Sequence, residues 1–315
     1  MEKALVIAGG GLAGLACGIR LAERGWQVTV HERRRYPLKK VCGEFLSPQG
    51  WRRVQALGAE AFLDRPPREL KRARFYSGDT HHFDMALKPA AWGLSRAALD
   101  TALAERFRQV GGDLREGSEL STLEAGMLDA RGRPPDGSTA AWIGWKAYLP
   151  AEAAPEELEQ VDLLMLPVPG GYCGLARIED GRVSVGLVAQ GNPSLPALCA
   201  SHPILAGQAD ALQAHAAVAR FDFRSYAGGG RLGDARRVWP PLLGDGMSQA
   251  LAAGEATALA MHEGRKLLQP MAAFQFYLAR GLHSLMLVPG ARRAAGAVCR
   301  IAPALPEAVY RFSRG

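Results

Sequence analysis

The first 32 residues constrain the fold most. Ala4–Ala8 (ALVIA) is a short, wholly apolar run of the kind that forms a strand buried on both faces. Gly9-Gly10-Gly11-Leu12-Ala13-Gly14 then fits G-x-G-x-x-G. Leu12–Arg24 reads as a helix with apolar positions at Leu15, Ile19 and Leu21, stopped by Gly25. Val28–Val30 is a second β-branched strand ending at His31-Glu32. The order has a mechanical reason. Gly9 permits a tight turn, Gly11 lets backbone approach a pyrophosphate, and Gly14 allows close packing of helix on strand. The helix N-terminus, from Leu12 and Ala13 onward, offers unpaired N–H groups and the positive end of its dipole to phosphate. Glu32 is placed to accept hydrogen bonds from the ribose hydroxyls of an adenosine. These elements predict a dinucleotide site.

Composition sets the remaining bounds. The chain has 315 residues, 48% hydrophobic and 22% charged, as expected of a globular protein with a sizeable core. Its net charge of +7 raises nucleic acid as a partner. Beyond Glu263, however, the sequence holds eight basic residues and one acid, Glu307, so the excess belongs wholly to the tail. That distribution argues against nucleic-acid binding. Five scattered cysteines form neither a disulfide framework nor a CxxC pair, so no structural metal is expected. The N-terminal apolar run is too short for a signal peptide. The longest stretch without acid, Lys or Arg, Val183–Ala209, contains three prolines and does not suit a membrane span. A cytoplasmic protein is the expectation.

The continuation Lys39-Lys40-Val41-Cys42-Gly43-Glu44-Phe45-Leu46-Ser47-Pro48 resembles the K-x-C-G-E-x-L-S-P segment of FAD-dependent oxidoreductases of the aromatic-hydroxylase and geranylgeranyl-reductase group. Trp92-Gly93-Leu94-Ser95-Arg96 with the following helix to Gly111-Gly112 is similar to that group's second FAD-contacting helix, with Arg96 toward a phosphate or ribose. Met127–Arg133 resembles a strand passing near the adenine. Gly233-Asp234-Ala235, then Pro241 and Gly244-Asp245-Gly246-Met247, resembles the G-D-A…P-x-x-G-x-G-M segment. There the acid matching Asp234 holds the ribityl chain, and a helix running through Ala258-Leu259 points its N-terminus at the flavin.

The resemblance implies an α/β fold. A Rossmann-like FAD-binding domain (1–70, 92–133 and 225–270) would be interleaved with an antiparallel β-sheet substrate domain (71–91 and 134–224), followed by a C-terminal helical cap (271–315). Expected cofactor contacts are Gly9, Gly11, Leu12, Ala13, Gly14, Glu32, Arg33, Cys42, Gly43, Arg96, Gly233, Asp234, Pro241, Gly244, Gly246 and Met247. The implied cofactors are FAD and, as electron donor, NADPH or NADH. The implied reaction is hydroxylation of a hydrophobic aromatic or polyketide-like molecule through a flavin C4a-hydroperoxide. Reduction of an isoprenoid double bond and FAD binding without turnover are the alternatives. The W-x-W-x-I-P signature of flavin halogenases is absent.

Four further expectations come from the residues. Cys42 is a candidate reactive thiol if Lys39 and Lys40 lower its pKa, although a buried structural cysteine is commoner. Trp142, Trp145, Tyr148, Tyr172 and Trp239 are candidate walls of a flat substrate pocket. His81-His82, adjacent on a strand, point to opposite faces and do not suit joint metal binding. The basic tail reads as helices that pack on their own domain, or that touch an anionic membrane.

Overall fold

The computed structural model describes residues 3–133, 140–210, 212, 217–226, 229–265 and 273–313. Lys266 and Arg314, two of the tail cations, lie outside the described residues.

Four parallel strands make the first sheet, in the order β6-β2-β1-β7: β1 (Ala4–Ala8), β2 (Gln27–Glu32), β6 (Asp113–Glu116) and β7 (Leu128–Asp129). Helix α1 (Leu12–Ala22) crosses from β1 to β2. The apolar spacing expected of it buries Leu15, Ile19 and Leu21 completely. Two more helices, α2 (Pro48–Ala56) and α3 (Arg96–Gln109), share its core, together with a long helix, Gly246–His262.

The second sheet has eight strands in the order β12-β8-β11-β10-β9-β4-β5-β3. These are β3 (Phe45–Leu46), β4 (Arg68–Tyr76), β5 (His82–Gly93), β8 (Trp142–Leu149), β9 (Leu163–Val168), β10 (Gly171–Arg177), β11 (Val183–Gln190) and β12 (Ala217–Phe221). The hairpin expected at Glu179-Asp180-Gly181 joins β10 to β11, and Gly181 takes the positive φ the turn requires. One expectation is corrected. The sheet is mixed rather than antiparallel, because β4 and β9 pair in parallel across a long connection.

Strand alternation gives this sheet two different faces. Ile143, Trp145, Ala147 and Leu149 of β8 join a core closed by two short helices, α4 (Leu195–Ala200) and α5 (Pro203–Ala206). Trp142, Met165, Tyr172, Val188 and Phe221 line the other face. Following the Gly246–His262 helix, here α6, come α7 (Ala273–Leu287), α8 (Pro289–Ile301) and α9 (Ala304–Ser313). α7 packs on β10, and α8 and α9 pack on β5.

Candidate functional site

Two helices that start without a side-chain cap pack together, the first turn of α1 lying against Gly254 in the middle of α6. In α2, α3 and α4 the cap is a serine (Ser47, Ser95, Ser194) whose hydroxyl accepts a backbone N–H of the first turn. At α1 and α6 no side chain does this. Their first turns begin instead at Gly11 and Gly246, and a Cβ on either would meet nothing within 4 Å. Both first turns therefore lack a side-chain cap and border open space.

The neighbouring glycines are small for a different reason. Gly9 has φ +109°, and a Cβ there would lie 2.3 Å from the Ala130 carbonyl oxygen. At Gly14 it would strike the Gly9 oxygen at 2.1 Å. Gly254 brings α6 against α1, where a Cβ would sit 2.3 Å from the Ala13 oxygen. At Gly233, φ +55°, the corresponding distance to Ala13 Cβ is 3.0 Å. Leu12, Ala13 and Met247 are buried in this contact. A small cavity lined by Gly233, Asp234, Trp239, Gly246, Gln249 and Ala250 lies beside the first turns of α6.

Glu32 is buried at the end of β2. Its Oε2 accepts the Gly10 N–H at 3.0 Å and its Oε1 the Arg34 N–H at 3.1 Å. Each oxygen retains a second lone pair for a hydroxyl donor. Arg96 binds Asp100 bidentately, Nε at 2.7 Å and Nη2 at 2.9 Å. Burial alone would lower the pKa of its guanidinium, but Asp100 more than reverses this. Burial pushes the Asp234 carboxyl up, opposed by the charges of Arg133, Arg96 and Lys40. Arg96, Lys40 and Asp234 are thus within electrostatic reach of one another. Arg33 stands apart, largely exposed and 4.0 Å from Glu119. Pro241 begins the exposed turn Pro241–Leu243, and Gly244 ends it with φ +67°, hard against Phe45.

The Cys42-Gly43-Glu44 segment sits between the two sheets. Burial raises the Cys42 thiol pKa, outweighing the nearby cations, among which Arg96 acts first. Desolvation thus opposes activation of this thiol by the neighbouring lysines and accords with the commoner buried role. Gly43 donates no side chain here, and its carbonyl accepts the Ser184 hydroxyl at 3.1 Å. Glu44, 1% exposed, is the one non-glycine with positive φ among the described residues, at 58°. Such a backbone costs about 1–3 kcal/mol and persists only where its surroundings fix it. Four groups do so. The Glu44 carboxylate accepts Lys146 Nζ at 2.7 Å, the Tyr148 hydroxyl at 2.7 Å and the Arg96 N–H at 2.9 Å, while its carbonyl accepts Leu94 N–H at 3.1 Å. Lys146 also contacts the Ser184 hydroxyl.

On the same sheet face, Tyr172 and a histidine from α7 form a second polar pair. His283 is 4% exposed, with Nδ1 3.0 Å from the Tyr172 hydroxyl. The rings of Trp142 and Phe223 lie 4.6 and 4.8 Å from its own. Its Nε2 is buried with no hydrogen-bond partner among the described residues. Burial, reinforced by Arg280, lowers its pKa from 6.5 to about 4, so the imidazole is neutral at pH 7. A backbone hydrogen bond ties Tyr172 to Leu242, in the turn that leads to Gly244 and α6.

Of the five aromatic residues expected at a pocket, Trp142 and Tyr172 line this face. Tyr148 sits at Glu44, and Trp239 packs edge-on to Phe276 at 5.3 Å. Trp145 is corrected: its position next to Lys146 on β8 turns it into the opposite core. Lys146, Ser184 and His283 escaped the sequence reading. A lysine inside the otherwise apolar run Trp142–Leu149 was the available signal for the first of them.

Residues 2–137 match the family model described as FAD binding domain. Kynurenine 3-monooxygenase of Xanthomonas oryzae pv. oryzae is 29% identical over 138 residues, 39% of this chain. The match spans 29% of that relative's length. Among solved structures, the flavoprotein/dehydrogenase of Cytophaga hutchinsonii aligns with a TM-score of 0.68 at 16% identity, covering 95% of this chain and 92% of its own. The flavin-dependent brominase Bmp2 also gives 0.68, at 17% identity over 99% of this chain and 93% of its own. PqsL of P. aeruginosa, in complex with 2-aminobenzoylacetate, gives 0.67 at 16% identity over 94% and 99%. Identities this low establish the fold alone. Residues 2–137 thus match an FAD-binding domain, and the chain as a whole shares the fold of these flavoprotein structures.

Proposed function

We propose that this chain is an FAD-dependent monooxygenase that takes electrons from NADPH or NADH and hydroxylates a hydrophobic aromatic or polyketide-like small molecule. The observation that carries the reading is a pair of helices, α1 and α6, packed together at Gly254, each starting without a side-chain cap and at a glycine bordering open space. The residues fit FAD on physical grounds. The Gly9–Gly14 turn and the start of α1 would receive the pyrophosphate. Glu32 would accept the ribose hydroxyls on the lone pairs its backbone donors leave unused. Asp234 would hold the ribityl chain, and the N-terminus of α6 would face the pyrimidine edge of the ring, where negative charge develops on reduction.

When bound, the flavin would carry electrons from the nicotinamide to dioxygen. The chain's own contribution is position and exclusion of water. The apolar face around Trp142, Tyr172, Val188 and Phe221 supplies a dry wall. The neutral His283 and Tyr172 supply a polar point within it. The N-terminal likeness to kynurenine 3-monooxygenase supports hydroxylation. Double-bond reduction is the second reading, favoured by the Cys42-Gly43-Glu44 segment held against β8 and β11.

Two measurements test this. Gly11→Ala and Gly246→Ala place a methyl in open space, so the apoprotein should keep its melting temperature while FAD retention falls about tenfold or more. Equal FAD retention in wild type and both variants would refute the cradle. Turnover of substrate by pre-reduced enzyme without oxygen would refute hydroxylation and establish reduction.

A further inference from the structure

We propose that the outward face of α8 and α9 is a docking surface for an anionic lipid bilayer. The proposal is independent of the redox reading above.

The inward sides of both helices are accounted for. Gly296 lies against Ser77, where a Cβ would come within 2.5 Å of the Ser77 side chain. Arg292 donates to the Ser77 carbonyl at 3.2 Å and to the Met286 carbonyl at 2.8 Å. Glu307 accepts the Ala86 N–H at 3.2 Å, and Tyr310 donates to the Pro89 carbonyl at 3.0 Å. These contacts seat the helices on β5 and the turn before it.

The opposite side exposes large apolar groups at helical spacing. Val298 is 49% exposed, Ile301 86%, Leu305 48% and Phe312 65%. Isolated exposed aliphatics are ordinary, but a continuous stripe of them marks an interaction site. Arg293, Arg300 and Arg311 are exposed on the flanks between this stripe and the seated side, Arg293 extending toward the Gly78 turn. The single acid beyond residue 263, Glu307, is turned to the sheet. The outward face of α8 and α9 is therefore an apolar stripe flanked by arginines long enough to reach its level, with no carboxylate on that face among the described residues.

That combination selects the occupant. A second copy of the same face would set arginine against arginine. A nucleic acid would match the charge but leave Ile301 and Leu305 against phosphate and sugar. An anionic bilayer satisfies both, taking the aliphatic groups into the acyl boundary and pairing the guanidinium groups with headgroups.

The test is flotation of the full chain, loaded with FAD, with vesicles of phosphatidylcholine alone or mixed with phosphatidylglycerol. Binding is expected to the mixed vesicles only and should weaken as salt rises. Ile301→Glu with Leu305→Glu should lower partitioning about tenfold or more. Arg293→Gln, Arg300→Gln and Arg311→Gln should each lower it about fivefold at low salt. All positions are solvent-facing, so melting temperatures should match wild type. Absence of binding to mixed vesicles, or unchanged binding by the Ile301 and Leu305 variant, would overturn the proposal. Self-association abolished by that variant, without vesicle binding, would assign the face to a second copy instead.

Discussion

Acidification should remove a defined part of the fold's stability through one imidazole. His283 is 4% exposed among the rings of Trp142, Tyr172 and Phe223. Burial, with help from Arg280, lowers its pKa from 6.5 to about 4. In the unfolded chain the ring takes a proton as pH falls through 6.5, whereas in the folded chain it waits until about 4. Across that interval the unfolded state binds more protons, so stability rises with pH and falls on acidification. At about 1.4 kcal/mol per pH unit, the loss on descending the interval is about 3 kcal/mol. That is a large share of the 5–15 kcal/mol typical of a globular fold. Urea denaturation of wild type and His283→Gln over this pH range measures it. The glutamine amide can still meet the Tyr172 hydroxyl and does not titrate. His202, whose pKa is also lowered by burial, contributes equally to both proteins and cancels in the difference. Wild type should lose about 3 kcal/mol more than the variant between pH 6.5 and 4. Parallel stability curves would refute the placement of His283 as a buried neutral base.

Two further substitutions probe the framework of the site. Lys146→Met leaves the Glu44 carboxylate buried without its cation and should cost about 3–5 kcal/mol by urea denaturation, with much of the loss recovered by adding Glu44→Gln. Gly254→Ala drives a methyl against the Ala13 carbonyl at the closest approach of α1 and α6, and should cost about 1–3 kcal/mol. Gly11→Ala, which has room, should leave the melting temperature unchanged, and that contrast separates packing glycines from those facing open space.

The elements legible in the sequence are those whose signal is local. β1, α1 and β2 each carry their pattern within a few residues, and Gly181 marks its hairpin by itself. The α6 motif was readable because Gly244-Asp245-Gly246 is contiguous. What escaped depends on chain segments far apart. Glu44 and Lys146 are 102 residues apart, and Tyr172 and His283 are 111 apart. No window of sequence joins such partners. The parallel pairing of β4 with β9 escaped because alternation reports a strand's buried face and not the direction of its neighbour. Trp145 was misplaced by one position of parity on β8, since Trp142, Lys146 and Tyr148 share the face it leaves. For Cys42 the sequence shows the nearby lysines but not the desolvation that outweighs them, which accords with the buried reading that is commoner for a cysteine.

The same long-range contacts explain how two helix ends with unsatisfied donors can be held still. α6 is tied to α1 and α2 at both levels of its length. Near its start, the Ser248 hydroxyl meets Ser47, the residue that caps α2. Two turns on, Glu255 receives Arg20 of α1 at 2.7 Å and Arg53 of α2 at 2.6 Å. Between them Gly254 lets the backbones touch. A flexible pair of N-termini would have to be ordered by the ligand, at a cost to its affinity. Here the ordering is built into the apoprotein, because each clamp joins side chains of helices that already share one core. The open glycines Gly11 and Gly246 then have a single arrangement relative to each other. The two helix starts that lack side-chain caps are thus held in one arrangement relative to each other, the arrangement that the proposed FAD site requires.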